Sequence, residues 1–135
     1  MLPNHPVFHR RIEALFFFLF CLVIYFMSGF SWLFFLVMFF LPDVGAIGYL
    51  KSPRLGGIMY NLTHWYVWPV LLIALSYIMT LRGMSGPTFT PHLTPVALIW
   101  AAHISFDRML GWGLKTEESF YHTDMGLKPR IGRKS

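Results

Sequence analysis

His103 and Asp107 stand four residues apart, and Asn61 and His64 three apart, in segments that are otherwise almost wholly apolar. On a helix either spacing puts both side chains on one face, about a turn from each other. Asp43, from a third segment, brings the set to two imidazoles, two carboxylates and an amide. Asp43, His64, His103 and Asp107 together are a donor set for one divalent metal, Zn, Fe or Mn, with an open position able to activate water or hold an oxygenated substrate. The same residues suit two metal-free readings. One is a hydrogen-bonded network that fixes helix packing. The other is an acid/base or binding pocket, with His64 or His103 as the base oriented by Asp107. No His-Glu-x-x-His motif and no cysteine cluster selects among the three.

The segments that carry these residues belong in a bilayer by composition. Between Glu13 and Asp43 there is no Lys, Arg, Asp or Glu, and most positions are Phe, Leu, Val, Ile or Met. Of the 135 residues 56% are hydrophobic and only 13% charged, well below the charged share of a soluble domain. The formal charge of +5 does not imply nucleic acid, because the basic residues flank apolar runs instead of forming a stripe. The one cysteine, Cys21, cannot form an intrachain disulfide and reads as packing. Arg10 and Arg11 precede a long apolar segment as in a signal peptide. No small-x-small cleavage site follows, so the start reads as a retained first helix.

The expected fold is all-α, a polytopic membrane bundle of four transmembrane helices with short loops. A single helix from Ile12 to Leu41 would be about 45 Å long against a hydrocarbon core of about 30 Å, so Ser28 to Ser31 is expected to turn the chain. Span one is then Ile12 to Met27. Span two is Trp32 to Leu50, kinked at Pro42. Span three runs from Gly56 to Leu81 and span four from Leu93 to Leu110. Residues 1–11 form an N-terminal tail, 12–110 the transmembrane domain, and 111–135 a C-terminal cap with a basic tail. This arrangement leaves ten of the eleven Lys and Arg on one side, with only Arg82 opposite. By the positive-inside rule both termini are cytoplasmic.

That topology fixes depth. Asp43 lies about 10 Å before the inner end of span two, His64 about 9 Å above Ile58 in span three, and His103 and Asp107 about 10 and 5 Å above the end of span four. Three helices thus carry polar groups to one level in the inner half of the membrane. Since a carboxylate in hydrocarbon costs about 3 kcal/mol on insertion scales, these groups should face the bundle and each other. Tyr49 and Tyr60 lie near the same level as interface anchors, and either hydroxyl could reach the cluster. Arg108 is expected to reach for lipid phosphates, and Trp65, Trp68 and Trp100 to face lipid or pack. Gly111 to Lys115 should turn back along the membrane face, bringing His122 and Asp124 over the mouth of the cluster.

An ordered set of residues resembles a known family. It comprises Leu41-Pro42-Asp43, Gly48-Tyr49, Gly56, Tyr60-Asn61 with His64, His103, Asp107-Arg108, Gly111, Gly113-Leu114-Lys115 and the segment from Phe120 to Gly126. The chain in these pieces, from about Arg11 to Arg133, is similar to the small bacterial integral-membrane family catalogued as domain of unknown function 4260. The resemblance implies a multi-pass protein of the bacterial inner membrane and carries no established reaction. The family pattern ends in a Thr-His pair, where this chain has Thr123-Asp124, with His122 two positions earlier. A looser likeness to membrane-bound metal-dependent hydrolases is one of analogy. The expected partners are membrane lipids and an amphiphilic small molecule, with a homo-oligomer compatible and no nucleic acid. An enzyme of this kind competes with a non-catalytic membrane protein whose polar network fixes packing or binds a partner or small ligand.

Overall fold

The structure, a computed structural model, describes residues 5–84 and 90–115, together with the backbone of the pairs 122–123 and 126–127. The chain starts its first helix where Pro6 can occupy the first turn, with the His5 imidazole accepting the backbone N–H of Val7 at 3.2 Å. This helix, α1, spans Pro6–Met27 and ends at a turn in which Gly29 adopts φ +73°. Ser31 then caps α2, Trp32–Phe39, by accepting the N–H of Phe34 at 3.3 Å. The Tyr25 hydroxyl donates to the Ser31 carbonyl at 2.8 Å and clamps the turn from the α1 side. The turn therefore falls where the soft Ser-Gly-Phe-Ser stretch suggested it.

Span two differs from a kinked α-helix. Pro42 lacks the N–H an α-helix would need there, α2 stops at Phe39, and the backbone tightens into a 3-10 helix over Leu41–Leu50. With three residues per turn, side chains three apart eclipse one another. Pro42, Gly45 and Gly48 form a buried face. Val44, Ile47 and Leu50 form an exposed apolar one, and Asp43, Ala46 and Tyr49 lie between. The buried face packs antiparallel on α3, Pro53–Thr63, which Ser52 caps by accepting the Leu55 N–H at 3.1 Å. The approach is close enough to exclude side chains: a Cβ on Gly45 would stand 2.5 Å from Thr63 Oγ1 and 2.7 Å from the Met59 carbonyl oxygen.

Span three also differs, since Gly56 to Leu81 is two helices. Pro69 cannot donate to the carbonyl of Trp65, and residues 64–66 belong to neither helix, separating α3 from α4, Val67–Leu81. Two indoles supply replacement donors. Trp68 Nε1 donates to the Leu62 carbonyl at 2.6 Å, and Trp100 Nε1 to the Thr63 carbonyl at 2.7 Å. Trp68 and Trp100 thus cap a broken helix, a task their sequence positions did not suggest.

The last helix, α5, Thr90–Leu110, is the centre of the molecule. Ala97, Leu98 and Ile99 and every residue from Ala101 to Ser105 are buried, which is the all-round burial of a helix enclosed by others. Cys21 of α1 meets Ala101 and Ala102, and Tyr25 meets Leu98 and Ile99. At the other end Arg11 Nε donates to the Met109 carbonyl at 2.7 Å, so α1 and α5 run antiparallel and Arg11 satisfies an end carbonyl of α5. Hydroxyl pairs Ser76–Thr94 and Tyr66–Ser105, both 2.9 Å, tie α4 to α5.

The architecture is all-α with four helical arms: α1, α2 with its 3-10 extension, α3 with α4, and α5. A two-residue antiparallel pairing, β1 His122–Thr123 with β2 Gly126–Leu127, follows it. Two of the arms, Trp32–Leu50 and Pro53–Leu81, are long and apolar enough to cross a membrane by length and composition.

The seam between the 3-10 helix and α3 makes a direct prediction. Gly45→Ala should destabilise the protein by about 1–3 kcal/mol, because the methyl meets backbone as well as a side chain. Val44→Ala, on the exposed face, should be nearly neutral. Thermal unfolding in detergent compares them, and equal melting temperatures would reject a close-packed seam.

Candidate metal centre

The break after Thr63 orients His64. Its backbone N–H donates to the Tyr60 carbonyl at 3.0 Å, and the Thr63 hydroxyl donates to the same oxygen at 2.9 Å. The His64 ring turns back so that Nδ1 lies 2.8 Å from that carbonyl as well. A carbonyl only accepts, so Nδ1 carries the proton and Nε2 presents a lone pair on the opposite side of the ring. The Tyr60 ring stacks on the imidazole at 3.7 Å between centroids, which holds its plane.

The lone pair of His64 faces three other donor atoms from two further elements. His103 Nε2, from α5, is 3.1 Å away. Asp107 Oδ2, one turn further along α5, is 3.4 Å from His64 Nε2 and 3.9 Å from His103 Nε2. Asp43 Oδ1, from the 3-10 helix, is 3.7 Å from His64 Nε2 and 3.4 Å from His103 Nε2. All four atoms lie within 4.8 Å of one another. Ligands at about 2.0–2.1 Å from a tetrahedral ion stand about 3.3–3.4 Å apart, and the five separations scatter around that length. The donor chemistry is compatible as well: two carboxylates and a bare imidazole nitrogen this close need a positive partner among them, either a metal ion or a proton on His103 Nε2.

The surroundings are those of a metal site in most respects. The Tyr60 hydroxyl donates to Asp107 Oδ2 at 2.6 Å, and the Tyr60 carbonyl takes the outer N–H of His64, so both ligands are oriented from behind. The His103 ring stands edge-on to Phe39 at 5.1 Å, while its Nδ1 has no hydrogen-bond partner among the described residues. The ring is oriented by packing on that side and by its Nε2 contacts to His64 and Asp43 on the other. The side chains of His64, His103 and Asp107 are 4%, 2% and 7% exposed, whereas Asp43 is 47% exposed. The cluster is closed on three sides and open at Asp43.

Other residues of interest sit elsewhere. The Asn61 amide turns to the C-terminal segment, donating to the Lys115 carbonyl at 2.7 Å and accepting the Lys115 N–H at 2.6 Å. It staples that segment to α3. Of the two tyrosines, Tyr60 reaches the cluster, while the Tyr49 ring lies where a side chain on Gly56 would go. Arg108 covers the face of Tyr66, with Cζ 4.5 Å from the ring centroid. The His122 side chain and Asp124 lie outside the described residues. Sequence reasoning named Lys115 only as part of the Gly111 to Lys115 turn and of the family resemblance and gave it no place at the cluster, whereas it is buried with Nζ 4.5 Å from the Tyr60 ring centroid. It passed over Thr63.

The Asn61 staple is testable. Each lost hydrogen bond is worth about 1 kcal/mol, so Asn61→Ala should speed hydrogen exchange at the Lys115 amide while leaving global unfolding little changed. An unaltered exchange rate would show that other contacts hold the segment.

No curated protein and no solved structure matches the chain significantly. A family model does, over residues 8–127, which takes in every residue of the cluster and all of the four arms that position it except Pro6 and Val7. The chain therefore belongs to the family described as Domain of unknown function (DUF4260).

Proposed function

We propose that the protein is a membrane-embedded, metal-dependent hydrolase whose substrate is an amphiphile reaching the site sideways from lipid. The carrying observation is the convergence of four possible ligating atoms within 4.8 Å of one another, three of them on buried side chains and the fourth on the half-exposed Asp43. Four protein ligands fill a tetrahedral shell, so water or substrate would enter as a fifth ligand or in place of Asp43, the one exposed member of the set.

In this reading His64, His103, Asp107 and one oxygen of Asp43 hold a single Zn, Fe or Mn ion, which would polarise the substrate and lower the pKa of water. Tyr60 fixes Asp107 and His64. In the reaction the oxygen of water bonds to the acyl or phosphoryl centre and the bond to the alkoxide breaks. The proton given up by water passes to that alkoxide, with the exposed second oxygen of Asp43 as carrier. The bilayer reading draws on the outward residues. Phe16, Trp32, Leu33 and Leu50 are all well exposed, and so many large exposed apolar side chains suit a lipid surround. Four spans with both termini cytoplasmic follow from the charge distribution, the bacterial inner membrane is what the family resemblance implies, and lipid or a second copy as neighbours belongs to the same proposal.

One observation favours a metal-free alternative. The 3.1 Å between the two Nε2 atoms is a hydrogen-bond distance, so a shared proton could hold the cluster as a packing network or acid/base pocket, with His103 and Asp107 as the working pair.

Metal analysis separates the two. Protein purified without chelators should retain about one Zn, Fe or Mn per chain. His64→Ala and His103→Ala should lose it while still eluting as folded protein, and chelation should lower the melting temperature. Metal-free protein with a melting temperature indifferent to chelators would leave the network. For the topology, single cysteines at Ser52 and Ser85 in a Cys21→Ala background should label from opposite faces of the membrane, and same-face labelling would refute four spans.

A further inference from the structure

A cavity of about 330 Å³ is lined by residues that are chain neighbours of Asp43, His64 and His103. Its walls come from three sides: Met38 and Leu41, Met59 and Leu62, and Val96 and Trp100. Each wall adjoins a ligand of the proposed centre. Pro42, on the wall, precedes Asp43; Thr63, also on the wall, precedes His64; and Trp100 lies one turn before His103.

We infer that this cavity holds the hydrocarbon chain of the substrate, so that the substrate class is an ester or phosphoester with one aliphatic chain in the cleft and its polar head at Asp43. The inference rests on the hydrolase reading and adds the group that the site selects. The two polar side-chain groups on the wall are already engaged. The Thr63 hydroxyl donates to the Tyr60 carbonyl, and Trp100 Nε1 donates to the Thr63 carbonyl. A ligand there is offered apolar surface and flexible methionine side chains, which suits a chain that makes no hydrogen bonds. Leu41, Val44 and Leu62 on the rim are exposed, so the cavity opens sideways onto the same apolar surface as Ile47 and Leu50. A chain can enter from lipid without its head crossing apolar protein. The volume lies at the small end of ligand pockets and accommodates one chain rather than two.

The test uses full-length protein in nanodiscs with a palmitic acid analogue carrying a diazirine near the chain end, and peptide mass mapping after photolysis. Metal content is measured on the same samples. The expected result is saturable labelling on Met38, Met59 or Trp100, competed by unlabelled palmitate. Labelling should fall at least tenfold in Val96→Trp, which fills the cavity, with metal content unchanged. Leu62→Trp, at the exposed rim, gives a second variant should Val96→Trp fail to fold. Unsaturable labelling spread over Val44, Ile47 and Leu50 and indifferent to both variants would mean surrounding lipid only, and would overturn the inference. Saturable cavity labelling on protein without metal would uphold the chain site and remove the hydrolase reading. Metal-loaded protein without saturable labelling would do the reverse.

Discussion

The carbonyl oxygen of Tyr60 receives three donors: the backbone N–H of His64, the hydroxyl of Thr63 and the ring Nδ1 of His64. That convergence ends α3, and it decides which nitrogen of His64 bears the proton. Had the helix continued through Pro69, His64 would have projected from a regular helix face with no constraint on its tautomer. Because the helix stops, the bare Nε2 is aimed at His103, Asp43 and Asp107, and the remaining end carbonyls are left to Trp68 and Trp100. In an apolar surrounding an unpaired carbonyl is expensive, so both indoles hold the geometry of the site although neither touches it.

The second dependency is the three-residue period of the 3-10 helix. Pro42, Gly45 and Gly48 let it lie against α3 almost backbone to backbone, and Asp43, one step round, is carried toward His64. An α-helix over the same residues would advance Asp43 by a different angle from the glycine face. The carboxylate would then leave the cluster. The proline that starts the tight helix therefore also places a ligand beside α3, and Pro69 does the corresponding work for His64. Both prolines sit where an uninterrupted span would have been simpler, and both breaks border the centre.

Much of the frame was readable from the chain alone. Apolar run lengths and the Ser28 to Ser31 turn are local signals, and the helices follow them, although the third span starts at Pro53 and not at the expected Gly56. His103 and Asp107 at four residues share a face whatever surrounds them. The readings that missed did so for a common reason. Gly56 to Leu81 read as one helix because hydropathy averages over a break that a single missing N–H imposes. Trp100 read as packing because its hydrogen-bond partner, Thr63, is 37 residues away. Asn61 read as part of the polar cluster, yet its amide is taken up by Lys115, 54 residues on.

The sequence by itself determined where helices can begin and end, which of their faces are polar and which surfaces are apolar, since these depend on neighbours a few residues apart. Only the tertiary structure decided that Asp43, His64, His103 and Asp107 share one point, that the open side lies at Asp43, and that an apolar cavity adjoins it. Those outcomes depend on how three elements approach one another. Approach distance is set by side chains that are absent, as at Gly45, and by carbonyls that must find donors elsewhere in the chain.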